Sequence, residues 1–406
     1  VHRSRAGHPF LGTTMKTHRR FYRSSVTMAA LVFAAACGSP TALEDGYPIP
    51  AQTTDGWQTA SLESVGMDPA PLQALLDLIT ATPDHMMHGI VIIKDQRLVF
   101  EEYWPGIDLE PVTLNPVGQN FDRETLHYVA SVSKSLTSAL VGIALGRGLI
   151  GGVDESLFSF FPEYGDLRTE DNGPVTLKHI LSFSSGLDWN EHEYGFGDPR
   201  DSHYQMFNTA DPVHFLLGRP IVDPPGSRFR YNSGDTNLAG EIVRRRSGSE
   251  SLVDFAAEYL FQPLGIDAYR WWRFPLVDEV TFASGGAFLR PRDMAKFGAM
   301  YLNEGVWTGR QVVPPAWVEA STSVATPLPS GYRTVHGYGY NWWRGGPQRE
   351  QGMAEHFRAS GWGGQEIYVF PALDLVLVFT AGGYYEDPPL DFNGLIVDFI
   401  LEAIRD

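Results

Sequence analysis

Apolar residues recur along this chain with two periods, and the periods are segregated. A helical spacing runs over 68–78, with Leu72, Leu75, Leu76 and Ile79 on one side. Two apolar runs follow, Gly89-Ile90-Val91-Ile92-Ile93 and Leu98-Val99-Phe100, around the polar Lys94-Asp95-Gln96-Arg97. That pattern predicts a hairpin. From about 151 to 307 the spacing is mostly helical, broken by Gly and Pro, with helices expected over 176–182, 211–217, 237–246, 252–260 and 291–303. Aromatic and β-branched runs return at 338–343, 366–370 and 375–380, and a last helix is expected over 391–404. Strands near both ends and helices between them predict an α+β fold. One antiparallel sheet is built from both termini and covered by helices, and a mainly helical lobe is inserted between, with a cleft where lobe meets sheet.

The first 56 residues break this pattern. Met15-Lys16-Thr17-His18-Arg19-Arg20 reads as a start followed by a positive region, and an 11-residue apolar stretch runs from Val26 to Ala36. That stretch is too short to span a bilayer and suits a signal peptide over 1–36, with 1–14 as upstream residues. It ends in Ala34-Ala35-Ala36-Cys37, and Cys37 is the only cysteine. Small residues before a lone cysteine resemble a bacterial lipobox, so Cys37 is the expected lipidation site. A Pro- and Thr-containing tether is expected over 37–56 and a folded body over 57–406. The expected location is the periplasmic or extracellular face, with the membrane touched by the lipid anchor only.

Charge narrows the partners. The formal net charge is −17, and the first 36 residues hold six basic and no acidic side chains, leaving 25 basic against 48 acidic residues beyond them. So acidic a body disfavours nucleic acid. A single cysteine excludes an intramolecular disulfide and a Cys-based zinc site. His85 and His88 stand one helical turn apart with no third ligand nearby in the chain, which reads as a solvated helix end. No metal and no cofactor is expected. Subunit number is left open.

The candidate chemistry lies at 131–148. Leu136, Leu140, Ile143 and Ala144 share a helix face, Gly148 is a natural stop, and Ser131 falls in the first turn. Lys134, three residues on, projects from the same side. A serine hydroxyl needs a neighbour to take its proton, and an amine does so only when burial or positive potential lowers its pKa. A serine cap followed by a solvated lysine fits the same spacing.

The flanks add a resemblance. Tyr128-Val129-Ala130-Ser131-Val132-Ser133-Lys134 resembles the active-site segment of the serine β-lactamase and penicillin-binding-protein superfamily, in the branch of class C-like enzymes, family VIII carboxylesterases and 6-aminohexanoate-dimer hydrolases. Val175–Leu187, Pro225–Ser233, Pro263-Leu264-Gly265 and Gly285–Met294 are similar to further family segments in the same order. The resemblance implies a β-lactamase/transpeptidase-like fold and acylation of Ser131. Lys134 and Tyr231 would manage the proton, Tyr231 as a phenolate held by Lys134, with Ser233 as a relay beside it. It also implies an oxyanion hole from the Ser131 and Trp362 N–H groups. The family's third motif departs: in one register it falls on Ala359-Ser360-Gly361 as substrate-binding residues, in another on Trp362-Gly363-Gly364. Neither supplies a lysine, which moves the expectation from a β-lactamase or DD-peptidase towards a serine hydrolase of small esters or amides. A lipid-anchored binding module without turnover is the alternative of another class. Trp189, Tyr194, Tyr204, Trp342 and Trp343 are candidates for an aromatic acyl pocket.

Overall fold

The computed structural model describes residues 47–405 apart from 111–114, 192, 195–196, 333, 348–350 and 387–388. The signal segment, Cys37 and the first part of the expected tether lie outside the described residues. The rest of the tether is not free: Tyr47 stacks on Phe100 with ring centroids 4.5 Å apart, and its hydroxyl donates to the Glu101 carbonyl at 2.8 Å. Buried Arg292 donates to Ala51 O, Thr53 Oγ1 and Asp55 Oδ2 as well as to both Glu101 oxygens. Among the described residues the packed body therefore already includes Tyr47, ten residues before Trp57.

Eight strands form the main sheet: β1 (Met87–Lys94), β2 (Arg97–Tyr103), β3 (Thr326–Pro327), β4 (Val335–Tyr338), β5 (Trp343–Gly345), β6 (His356–Gly361), β7 (Gln365–Phe370) and β8 (Leu375–Ala381). Their order is β3-β4-β5-β6-β7-β8-β1-β2, every pairing antiparallel. The C-terminal β8 pairs with the N-terminal β1, Val91 opposite Val378, so both ends of the chain build one sheet as the hydrophobic pattern predicts. The hairpin turns through Asp95 and Gln96, both at positive φ, which suits the tight two-residue connection.

Strand alternation sorts the core into two layers. Val91, Ile93, Ile367, Val369, Val376 and Val378 face the layer formed by α2 (Val132–Gly146) and the helix over 291–302, the latter packing closest on them, while Ile90, Ile92, Tyr368, Phe370, Leu377 and Phe379 face α1 (Pro69–Ala81) and the C-terminal helix. Helix α3 (Leu177–Leu181) is held by a capping box between Thr176 and His179, and α4 (Ser233–Ser247) by the Asn232 side chain accepting from Asp235 N. Helix α5 (Pro291–Leu302) packs across β7, β8 and β1.

The structure corrects three local expectations. Residues 85–88 are no solvated helix end: His88 sits within β1 and is fully buried. The run 338–343 is a turn between β4 and β5 rather than one strand. The mainly helical lobe also carries short strands at Arg270–Trp271, Arg273–Phe274, Val277–Thr281 and Ala287–Leu289, in a stretch for which no element was expected. Each is too short to show a period of two.

Candidate active site

The chain enters α2 through a strained residue. Ala130 has φ 44°, a left-handed conformation that costs a non-glycine residue about 1 kcal/mol or more. Neighbours hold it there: Ser133 Oγ donates to Ala130 O at 2.6 Å and accepts from Ala287 N at 3.0 Å. Ser131 follows at the helix N-cap, yet its hydroxyl caps nothing. It is partly exposed and accepts instead from Lys134 Nζ at 2.9 Å.

Lys134 is 3% exposed. Its Nζ also donates to the Ser284 carbonyl at 2.8 Å and lies 4.9 Å from the centre of the Tyr231 ring. Ser284 is fixed by Asn237, whose Oδ1 accepts from Ser284 N and whose Nδ2 donates to Ser284 Oγ, both at 3.1 Å. Burial lowers the Lys134 amine from 10.5 to about 8, opposed by the negative charge of Glu191. A lysine so tuned is part neutral near neutral pH and can accept a proton.

Tyr231 lies immediately before α4 and is hydrogen-bonded to Ser131. Phe183 meets its ring edge-on at 5.0 Å and Trp343 stacks on it at 5.9 Å. Burial first, then the charge of Glu191, push its phenol well above its ordinary value. The phenolate expected from the sequence is therefore the disfavoured form, and Lys134 is the group positioned to take the proton. Ser233 is not paired with Tyr231: its Oγ donates to Glu191 Oε1 and its N–H to Glu191 Oε2, both at 2.9 Å. As the first residue of α4, it spends both groups on that carboxylate.

The third motif lies on β6, which ends at Gly361 beside the nucleophile. A Cβ on Gly361 would stand 2.3 Å from Val129 O and 3.3 Å from Ser131 N, so only glycine lets the strand pass this close. Ala359-Ser360-Gly361 thus occupies the end of the strand, and Trp362-Gly363-Gly364 forms the turn into β7. The two-residue period decides which side chains can serve. Ala359 shares the face of Gly361 but is a buried methyl in the core. Ser360 points to the other face, where its Oγ donates to Glu366 Oε1 at 2.6 Å, so it does not offer the substrate-binding hydroxyl expected of it. Trp362 packs edge-on against Tyr384 at 5.2 Å, just past the point where β6 meets Ser131 N. The Ser131 N–H is not used by the helix, whose turns begin with Val132 N to Val129 O.

Among the expected pocket aromatics, only Trp343 reaches the Tyr231 ring, while Trp189 lies behind it as a donor to Glu191. Trp342 is fully buried against Phe297 and Tyr301, a core residue. Tyr204 is exposed, and Tyr194 lies beneath Arg200. Sequence reasoning missed Glu191, Asn237 and Ser284. The first belongs to a loop without periodicity, and the last acts through its carbonyl, which leaves no side-chain signature.

A family model described as Beta-lactamase matches residues 77–397. The 6-aminohexanoate-dimer hydrolase of Paenarthrobacter ureafaciens is 28% identical over 306 residues, covering 70% of this chain and 73% of that protein. Among solved structures, a family VIII carboxylesterase superposes with TM-score 0.59 at 16% identity, covering 84% of this chain and 98% of its own. The octameric penicillin-binding protein homologue from Pyrococcus abyssi gives TM-score 0.59 at 18% identity, covering 82% and 76%.

Proposed function

The chain belongs to the β-lactamase family, and within it we propose a serine hydrolase that cleaves small esters or amides through an acyl-enzyme on Ser131. The observation that carries this reading is the contact set of Ser131, Lys134 and Tyr231, with the lysine buried and its pKa brought down to about 8.

Chemistry follows from the positions. Ser131 Oγ attacks the substrate carbonyl carbon as its proton passes to neutral Lys134. The oxygen of the tetrahedral intermediate accepts from the N–H groups of Ser131 and Trp362, each such donor being worth about 3 kcal/mol. The C–O or C–N bond to the leaving group breaks as that group takes a proton from Tyr231, which Lys134 replenishes. Water then attacks the acyl carbon with Lys134 again accepting its proton, the C–O bond to Ser131 breaks, and Lys134 returns that proton to Ser131 Oγ as the acid product leaves. Ser284 O holds the amine in place, and the charge of Glu191 shifts its protonation.

An ester or linear amide is favoured over a β-lactam or a peptide carboxylate because the end of β6 carries Ala359 in place of a cation. The P. ureafaciens relative named for a linear amide dimer supports the same reading. Purified protein is expected to hydrolyse short p-nitrophenyl esters, and Ser131→Ala to abolish it. Unchanged turnover in that variant overturns the assignment. Labelling by a fluorophosphonate without turnover of any ester or amide returns the chain to a binding module.

We further propose export and lipid attachment through Cys37, supported by the short apolar stretch and the small residues before it. Among the described residues no helix is long and apolar enough to cross a membrane. Palmitate labelling of the whole protein, lost in Cys37→Ala, is the expected outcome; equal labelling of both refutes it.

A further inference from the structure

Away from the serine, three side chains with metal-binding chemistry meet in the interior. His88 comes from β1, next to the edge strand of the main sheet, Asp108 from the short strand Gly106–Leu109, and His127 from His127–Tyr128, four residues before Ser131. Each offers one ligand atom, these atoms lie within 4.8 Å of one another, and no other cluster of three such groups occurs among the described residues. All three residues are 2% exposed or less.

Their hydrogen bonding is incomplete. None of the four imidazole nitrogens makes a hydrogen bond of good geometry, although the Ile107 carbonyl lies close to His88. Leaving a buried polar group unpaired costs about 1–3 kcal/mol each, so two dry histidines are an expensive way to fill a core. The obvious internal remedy is not taken: His127 Nδ1 and Asp108 Oδ2 stand 3.9 Å apart, beyond hydrogen-bond length. A four-coordinate ion with bonds of about 2.0–2.1 Å sets its ligand atoms about 3.4 Å apart, so this gap suits an ion between the groups. The widest pair would close by at most about 1.4 Å, within reach of side-chain torsions.

The surroundings are those of a built site. Asp108 is oriented by Tyr384, whose hydroxyl donates to Oδ1 at 2.8 Å, and by Leu109 N at the same distance. Phe121 stacks on both imidazoles, at 3.9 and 4.8 Å between centroids, and closes the site with an apolar wall. His88 is seated between two glycines. A Cβ on Gly106 or Gly382 would come within 2.8 Å or 2.7 Å of its Nε2.

We propose that His88, Asp108 and His127 bind one divalent transition-metal ion, of which Zn2+ is the probe. Two imidazoles and one carboxylate suit zinc and its neighbours in the first row, and the nitrogen donors argue against Mg2+ or Ca2+. Full burial makes the ion structural. It ties β1 to the segment that delivers Ser131, and through Asp108 and Tyr384 it braces Trp362 and Gly363. This inference does not depend on the acyl-enzyme reading, because its test measures metal rather than turnover.

The test is to strip the full chain with a chelator, desalt it and titrate it with Zn2+ by calorimetry, then repeat with His88→Gln and Asp108→Asn. The expected result is one equivalent bound by the unsubstituted protein, a rise in its unfolding midpoint, and an affinity at least about tenfold weaker in each variant. X-ray absorption at the zinc edge of the unsubstituted protein reads the ligands without any substitution and is expected to show two imidazoles and oxygen. No stoichiometric binding, unchanged affinity in both variants, or a shell containing sulfur or only oxygen overturns the proposal.

Discussion

The pH dependence of Ser131 acylation tests the central claim about Lys134. Burial brings the amine from 10.5 to about 8, so the neutral fraction is about one-tenth at pH 7 and about nine-tenths at pH 9. If the neutral amine is the base, the second-order rate of acylation rises about tenfold between those values and levels off above them. The negative charge of Glu191 acts in the opposite sense to burial and raises the amine's pKa. Glu191→Gln keeps an oxygen to accept from Ser233 and removes the charge, so the inflection must move to lower pH. The assay is the rate of Ser131 modification by a small fluorophosphonate, followed by intact mass, because it reports the free enzyme without a deacylation step. A flat profile refutes the reasoning, as does an inflection at an ordinary lysine value above 10. An inflection near 8 that stays put in Glu191→Gln would remove the carboxylate from the account.

Gly361→Ala places a Cβ 2.3 Å from Val129 O, so β6 must retreat by about 1 Å where it meets Ser131 N; kcat/KM is expected to fall about a hundredfold with the circular dichroism spectrum retained. Lys134→Met abolishes turnover yet stabilises the fold at pH 7 by up to about 3 kcal/mol in urea denaturation. The sign follows from linkage: the amine's pKa is lowered on folding, so the native state binds fewer protons between pH 8 and 10.5, and the advantage of Met shrinks as pH rises through that window. Arg292→Met leaves the buried Glu101 carboxylate without its main partner and releases Asp55, and a loss of about 3–5 kcal/mol in urea denaturation is expected.

Where a feature was legible in the sequence, a local physical rule wrote it there. The β1–β2 hairpin shows as two apolar runs around four polar residues, α5 as a 3.6-residue pattern opened by Pro291, and the sheet's mixed origin as strand signal at both ends. Ser131 and Lys134 were legible because a helical turn fixes their relation. What escaped depends on contacts between distant segments. Glu191 reaches Ser233 across 42 residues and Ser284 reaches Lys134 across 150. His88, Asp108 and His127 look scattered because packing between three separate sheets, not spacing along the chain, gathers them. The Ser360 role failed for a local reason: a motif copied onto a strand says which residues are there, and only the register says which face each one serves.

The same contacts bear on what the cleft can accept. When Lys134 is neutral and ready to take a proton, it offers no positive charge to a ligand, and Ala359 offers none at the end of β6. Asp235, fully buried beside Ser185, is pushed towards its uncharged form by burial, so the fixed charge near the serine is that of Glu191. That charge already raises the pKa of both Lys134 and Tyr231, which shows its field reaching the reacting atoms. In the reactive form with neutral Lys134, a substrate carboxylate placed there would meet the like charge of Glu191, and it would raise the amine's pKa further, lowering the fraction of the base it needs. An acyl group without a negative charge avoids both penalties. The chain's net charge of −17 adds long-range repulsion in the same direction. On the proposed reading, the activation of Ser131 and the disfavouring of carboxylate-bearing acyl groups rest on one arrangement: the neutral form of a lysine whose pKa burial lowers to about 8, facing the Glu191 carboxylate.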